Sequence, residues 1–244
     1  MRSTELVKAC PVCGGEFSPT HIVFSDKHHP ETLHYYKCLT CGLYALSPRF
    51  TDAYTKEYYS GEYRGEVNPL HITDKLQHLT RARTQMELAG HLFAGKTMLE
   101  LGCSSGYLLN EFKERGFKVV GVDPDALIEE DKFTRWYADI SEVPHKKFDV
   151  IAMSHMLEHV NHPREFLETL VKHYAKHGTR VMIDVPNQPE CFPLGVYRPH
   201  HPLAFDIHSL SYLMEAVGIK PIFDTAHGNG EPRRDNLLVV GEVQ

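Results

Sequence analysis

The 244-residue chain has no apolar run approaching the roughly 18 residues that a membrane-crossing helix requires, and its mean hydropathy is −0.34. Nor does it have an excess of positive charge. Lys and Arg number 26 against 32 Asp and Glu, a formal net charge of −6. A dedicated nucleic-acid binder would carry a basic face, so nucleic acid is not the expected partner. The opening residues Met1-Arg2-Ser3-Thr4-Glu5 lack the apolar core of a secretory signal. Internal repeats and low-complexity tracts are missing as well. These absences point to a cytoplasmic chain, long enough for one α/β domain and a small appendage.

Cysteine is present in a pattern. Cys10 and Cys13 form one C-x-x-C, Cys38 and Cys41 a second, while Cys103 and Cys191 stand alone. In a reducing compartment, paired C-x-x-C units read as metal ligands before they read as disulfides. Glycine follows each unit (Gly14 and Gly42) and lets backbone amides turn toward the thiolates. Two such turns supply the four thiolates of a closed tetrahedral zinc site, and the stretch 14–37 is long enough for a hairpin between them. A zinc ribbon over 1–46 is the expectation. A thiol–disulfide pair is the rival reading, but neither unit opens a clear helix.

Residues 47–72 form a tyrosine-rich connector (Tyr54, Tyr58, Tyr59, Tyr63) with a short helix, read either as packing or as a lid reaching the substrate through Tyr58 or Tyr63. From Thr73 the apolar period turns helical through Leu76, Leu79, Arg83, Met86, Gly90 and Phe93, and Gly95 closes the helix. Beyond it, strands are expected at 97–101, 118–123, 133–138, 147–153 and 179–185. Helices are expected at 105–115, 125–131 and 163–177, the last capped by Asn161 and stopped at Gly178. A further helix at 208–217 and two late strands, 219–224 and 236–241, complete the pattern. This alternation means a mainly parallel sheet with helices on both faces.

The informative stretch is Met98-Leu99-Glu100-Leu101-Gly102-Cys103-Ser104-Ser105-Gly106-Tyr107. A strand ends in an acid, small residues follow, and a helix begins with free N–H groups. A second strand ends at Asp123, placed to accept from ribose hydroxyls. Asp139 follows the third strand, where an adenine amino group could be met. A nicotinamide-binding domain uses the same logic but wants G-x-G-x-x-G, whereas Ser104 stands midway between Gly102 and Gly106.

On these residues the chain resembles the class I S-adenosylmethionine-dependent methyltransferases, in the branch with an N-terminal zinc ribbon. The motifs are "MLELGCSSGYLL", "VVGVDPD", "YADI", "FDVIAMSHMLEHV" and "VMIDVPN". Glu100 stands where aspartate is commoner, and Ser104 replaces a frequent glycine. The resemblance implies a Rossmann-like sheet with an antiparallel last strand over 73–244 and a substrate-side insertion near 187–207. It implies that Glu100, Gly102, Cys103, Ser104 and Gly106 hold the methionine part of the cofactor. Asp123 with Pro124 would hold the ribose, Asp139 with Ile140 would neighbour the adenine, and Ser154 would border the site.

Histidine is abundant, at 17 residues. His155-x-x-Glu158-His159 matches an inverted zinc-peptidase motif, but it follows a buried strand and the resemblance explains it without metal. His155 would then line the methyl-transfer site. The run His200-His201-Pro202-Leu203-Ala204-Phe205 is similar to the E-H-x-x-x-F of zinc-ribbon sugar C-methyltransferases. It makes His201 the candidate general base and His200 the alternative, with Tyr197 and Arg198 near enough in sequence to hold an anionic group. The expected activity is methylation of a small molecule: a sugar nucleotide, or a polysaccharide or secondary-metabolite precursor. The alternatives are an RNA methyltransferase docking through its ribbon, which is close to charge balance, and a non-enzymatic scaffold that retains the cofactor fold.

Overall fold

The computed structural model describes residues 3–26, 29–59, 71–124, 126, 128, 130–132, 134–144, 146–188, 200–228 and 235–244, and at 20, 24–26, 29–31 and 71–74 the backbone alone. Its centre is a seven-stranded sheet built from β6 (Thr97–Leu101), β7 (Lys118–Val122), β8 (Thr134–Tyr137), β9 (Val150–Ser154), β10 (Arg180–Pro186), β12 (Ile219–His227) and β13 (Asn236–Val243). The spatial order is β12-β13-β10-β9-β6-β7-β8. From β10 to β8 all pairs are parallel, while β13 runs antiparallel to both of its neighbours. The inner strands are apolar along their length because both faces are covered. Met98, Val150, Ala152 and Met182 face α2 (His71–Ala89) and α3 (Tyr107–Glu114). Leu99, Ile151, Met153 and Ile183 face the opposite way, toward α4 (Pro163–Tyr174) and α5 (Ile207–Ala216). Strand order reverses between β6 and β9. In a parallel sheet that reversal opens a crevice at the strands' carboxyl ends, where ligands bind.

The N-terminal segment supplies β1 (Thr4–Glu5), the hairpin β2 (Phe17–Asp26) and β3 (His29–Cys38), then β4 (Tyr44–Leu46), β5 (Arg49–Phe50) and the short helix α1 (Asp52–Glu57). Its four-stranded sheet is not made from that segment alone. The edge strand β11 (Leu203–Ala204) comes from the far end of the chain and pairs antiparallel with β4. Cys10, Val12, Cys38, Cys41, Leu43 and Ala45 share one buried core with Phe205, Leu210 and the sheet. Ribbon and main sheet are therefore packed as one body.

Four local expectations give way to tertiary structure. Asn161 does not cap α4. His162 holds that position, without a side-chain bond and with Pro163 in the first turn, while Asn161 Nδ2 donates to the Phe50 carbonyl (2.9 Å) and to Asp52 Oδ1 (2.7 Å). The buried face of α2 runs through Ala82, Gln85, Met86 and Ala89, so Leu76 is 70 % exposed in spite of its apolar character. Helices end before their glycines: α2 stops at Ala89 and continues as a 3-10 turn to Leu92, ahead of Gly95, and α4 stops at Tyr174, ahead of Gly178. No helix is formed by the described residues between Pro124 and Lys132. Tyr63, Cys191, Tyr197 and Arg198 lie outside the described residues.

Candidate functional site

Two groups of side chains meet at the crevice, and a third gathers in the ribbon. The first is the loop after β6. Gly102 and Gly106 have φ of +76° and +71°, and Ser104 has +44°, so the chain curls through left-handed conformations that glycine tolerates and a side chain resists. The Ser104 amide donates to Asp123 Oδ2 at 3.0 Å, which ties the loop to the end of β7. A Cβ on Gly102 would lie 3.0 Å from Met156, so the loop is pressed against the turn that follows β9. Glu100 is buried at the end of β6, and its Oε2 has no hydrogen-bond partner among the described residues. Burial first, and then the Asp123 carboxylate, push Glu100 well above the usual carboxylate range.

The other expected cofactor residues are placed unevenly. Cys103 turns its thiol inward, beneath Gly121, where burial and then the charges of Glu100 and Asp123 push it up and leave it unreactive. Pro124 follows Asp123 at the mouth of β7. Asp139 caps the 3-10 turn Ile140–Glu142, accepting from the Ser141 amide (2.9 Å) and hydroxyl (2.8 Å), with Lys56 Nζ of the connector 3.7 Å away. Those hydrogen bonds outweigh burial and lower its pKa. Ser154 ends β9 and accepts from Gln85 Nε2 at 2.8 Å.

The second group lies across the crevice, at the ends of β9 and β10. His155 adopts φ +52°, and its Nε2 lies 2.9 Å from Asn236 Oδ1. Burial, and then Arg81, lower its pKa to about 3, so the ring stays neutral at physiological pH. The 3-10 turn Leu157–His159 brings Glu158 and His159 toward His201. His159 Nδ1 lies 2.8 Å from the His200 carbonyl and 2.7 Å from the Tyr59 hydroxyl. Its ring meets His201 edge to face, with centroids 4.6 Å apart, and stacks with His200 at 5.8 Å. Tyr58 also stacks on His200, with centroids 6.0 Å apart. The two connector tyrosines thus join the histidine cluster. Beneath it, Asp184 on β10 accepts from Gln85 Nε2 (2.5 Å) and pairs with His227 Nε2 (3.1 Å).

Sequence spacing singled out His155, His200 and His201 but passed over His159, Glu158, Tyr59, Gln85, Asp184, His227 and Asn236. The first two were visible in H-x-x-E-H, whose third partner, His201, only folding supplies. The others carry no local signature.

The third group is the cysteine cluster. The sulfurs of Cys10, Cys13, Cys38 and Cys41 all lie within 4.8 Å of one another, with Cys10 to Cys41 at 3.5 Å and Cys13 to Cys38 at 3.4 Å. The amides of Gly15 and Thr40 point at Cys13 and Cys38 sulfurs, each at 3.4 Å. Four converging thiols, two of them receiving N–H groups that stabilise thiolate, could hold one tetrahedral ion.

Comparison with known proteins agrees with this architecture. Residues 73–222 match the family described as "Methyltransferase domain". The ubiquinone biosynthesis O-methyltransferase of Rhodopseudomonas palustris strain BisB5 is 27% identical over 114 residues, 41% of this chain and 44% of that protein. The same-named protein of Bradyrhizobium strain ORS 278 is 29% identical over 142 residues, 54% of this chain and 56% of its own. The chain spans about half the length of the curated relatives it matches. In structure it resembles the 1,6-didemethyltoxoflavin-N1-methyltransferase of Burkholderia thailandensis, solved with 1,6-didemethyltoxoflavin and S-adenosylhomocysteine. The TM-score is 0.64 at 15% identity, over 91% of this chain and 98% of that one. At that identity the likeness speaks for the fold, which is that of the class I S-adenosylmethionine-dependent methyltransferases. With the family match running through the glycine loop, the switch-point crevice and α5, the chain belongs to the methyltransferase-domain family.

Proposed function

We propose that the protein is an S-adenosylmethionine-dependent methyltransferase acting on a small-molecule acceptor, with a structural zinc ion in its ribbon. The observation that carries the reading is the glycine loop, tied to Asp123 at the strand-order reversal and pressed on the turn that leads to His159. Bound there, the cofactor would supply an electrophilic methyl group on a positively charged sulfur. The residues present fit it. Glycine and serine in the loop let a ligand approach the backbone, Asp123 can accept from ribose hydroxyls, and Asp139 with Ile140 stands at the far end for the adenine. Glu100 holds a buried, unpartnered oxygen, and a cationic ligand group set against it would restore its charge.

On the acceptor side we place His201, which is buried at 8 % exposure and lies next to His159 and His200. Its task is to promote loss of the acceptor's proton as the methyl group is transferred. His200 stacks with both His159 and Tyr58 and shapes the same wall. His155, neutral and held against Asn236, positions the turn and takes no proton. These rings would align the acceptor with the methyl group, which is most of what an in-line displacement needs. The ubiquinone-named relatives and the toxoflavin-type structure favour a small, oxygen- or nitrogen-bearing acceptor.

Calorimetric titration with S-adenosylhomocysteine tests the reading, with Asp123→Ala beside the wild type. Micromolar binding, weakened at least about tenfold by the substitution (1.4 kcal/mol or more), supports it. Absence of binding by folded, zinc-loaded protein sinks it. Labelled methyl transfer to hydroxylated aromatics and sugar nucleotides would then identify the acceptor.

A further inference from the structure

Glu158, His159 and His201 come from two separate stretches of chain. The first two leave β9 in a 3-10 turn, and the third precedes the strand that the ribbon sheet adopts. Their ligand atoms, one carboxylate oxygen and one ring nitrogen from each histidine, all lie within 4.8 Å of one another. We propose that these three residues form a second metal centre, for a divalent first-row transition ion, which binds an oxygen of the acceptor. The proposal rests on the methyltransferase reading and supplies the means by which His201 acts on the acceptor.

Three observations carry it. Glu158 is 2 % exposed, yet neither of its carboxylate oxygens meets a hydrogen-bond donor among the described residues. A buried carboxylate without donors is costly, and a cation offsets that cost directly. Next, His159 Nδ1 lies 2.8 Å from the His200 carbonyl and 2.7 Å from the Tyr59 hydroxyl, and the tautomer that would bind the ion is the one whose Nδ1 hydrogen bonds the carbonyl. The electron pair then falls on Nε2, 3.8 Å from Glu158 Oε1. A cation set between these two atoms would be held by both. A hydrogen bond from the ring's other nitrogen to a carbonyl is also the usual support of a metal-bound histidine. Finally, His201 is itself fixed from behind, because its carbonyl accepts from Tyr35 at 2.7 Å.

The donor set suits the ion. One carboxylate and two imidazoles favour Zn²⁺, Fe²⁺, Co²⁺ or Mn²⁺ over Mg²⁺ or Ca²⁺, which prefer all-oxygen shells. Bonds near 2.1 Å put ligand atoms about 3–4 Å apart, so closing on an ion asks for side-chain shifts of about 1 Å. Three protein ligands leave a coordination position open, as in catalytic rather than structural sites. An acceptor hydroxyl taken there would lose its proton more readily, since a bound cation lowers the pKa of an oxygen ligand. The site therefore selects acceptors with a hydroxyl group, and with a second neighbouring oxygen where the ion has room for two. The methyl group would then pass from sulfur to that oxygen, the carbon–sulfur bond breaking as the carbon–oxygen bond forms and the proton leaving to solvent.

The test adds Co²⁺ to protein whose ribbon already holds zinc, and reads the visible spectrum together with elemental stoichiometry. One equivalent of cobalt with weak ligand-field bands and no thiolate charge-transfer band is the expected result. Glu158→Gln and His159→Ala should each abolish the bands while retaining the wild-type melting transition and S-adenosylhomocysteine affinity. His201→Asn is the second route should either variant fail to fold. Lack of cobalt bands in protein that binds S-adenosylhomocysteine overturns the metal centre alone and leaves Glu158 a buried acid without a bound cation. Bands that persist in Glu158→Gln overturn it as well. Failure to bind S-adenosylhomocysteine is scored separately and falls on the methyltransferase reading.

Discussion

The phenol of Tyr35, in the middle of the ribbon sheet, donates a 2.7 Å hydrogen bond to the main-chain carbonyl of His201. The Leu46 amide donates to Pro202 beside it at 2.9 Å, and β11 follows at once. The cysteine-bearing sheet is thus the wall against which the acceptor-side histidines are set. Arg49 adds a second tie, donating to Glu5, to the Asn161 carbonyl and toward His162.

Loosening that wall should separate the two halves of the site. Tyr35→Phe removes the donor and leaves a buried carbonyl unmatched, a cost of about 1–3 kcal/mol. Chelating the ion assigned to Cys10, Cys13, Cys38 and Cys41 should go further and release β11 from β4. In both cases amide exchange should quicken over 200–204 and methyl transfer should fall at least about tenfold. Affinity for S-adenosylhomocysteine should hold within about twofold. An equal loss of cofactor affinity would show that the ribbon supports the whole domain rather than the acceptor side.

Gly102 is the position where loop geometry is least forgiving. Its φ of +76° disfavours any side chain by about 1–2 kcal/mol, and an added Cβ would press on Met156 at 3.0 Å. Gly102→Ala should therefore cost stability of that order and weaken S-adenosylhomocysteine binding about tenfold or more. Calorimetry on the variant checks this, and near-wild-type affinity would mean that the loop does not approach the ligand.

Much of this was legible in the sequence because it is local. The two C-x-x-C turns, the apolar strand into Gly102 and the Asp123 strand end are each written in a few adjacent residues. What escaped depends on distant partners. Asn161 has the chemistry of a helix cap, but Phe50 and Asp52, brought up by the ribbon, take its amide. Leu76 fits an apolar period that the packing of α2 does not use. His155-x-x-Glu158-His159 reads as a peptidase motif or as bulk until folding supplies His201 from beyond β10.

Acid stability should show the mark of Asp149. Burial pushes its carboxyl up, but the Lys176 ammonium at 2.6 Å, the Lys96 and Thr97 amides and the Thr97 hydroxyl together lower its pKa from 3.8 to about 2. A depressed carboxyl contributes stability that is fully present above its unfolded value and is lost as pH falls through the folded one. Between pH 4 and 2 the wild type should lose up to about 2 kcal/mol on this account, less whatever solvent screens. Asp149→Asn should be less stable than wild type at pH 6, and the gap should close by pH 2. Urea unfolding across that range measures it, and a gap independent of pH would refute the assignment.

Asp184 should behave differently, because it is fully buried and serves two partners at once. Gln85 and His227 both aim at its Oδ2, at 2.5 and 3.1 Å, and burial is outweighed by these contacts so that the carboxyl is held below its usual range. Removing one member of a buried charged network strands the others, which typically costs about 3–5 kcal/mol. Asp184→Ala should suffer that loss, since Gln85 also anchors Ser154 at the crevice and His227 Nε2 would lose its contact with Asp184 while its Nδ1 already lacks a partner among the described residues. Asp184→Asn keeps an acceptor oxygen and fills the same space, so it should retain most of the stability. Denaturant midpoints for the two variants decide the matter. If alanine and asparagine cost the same, the carboxylate's charge, rather than its place as a shared acceptor, is what holds β10 to α2 and β12.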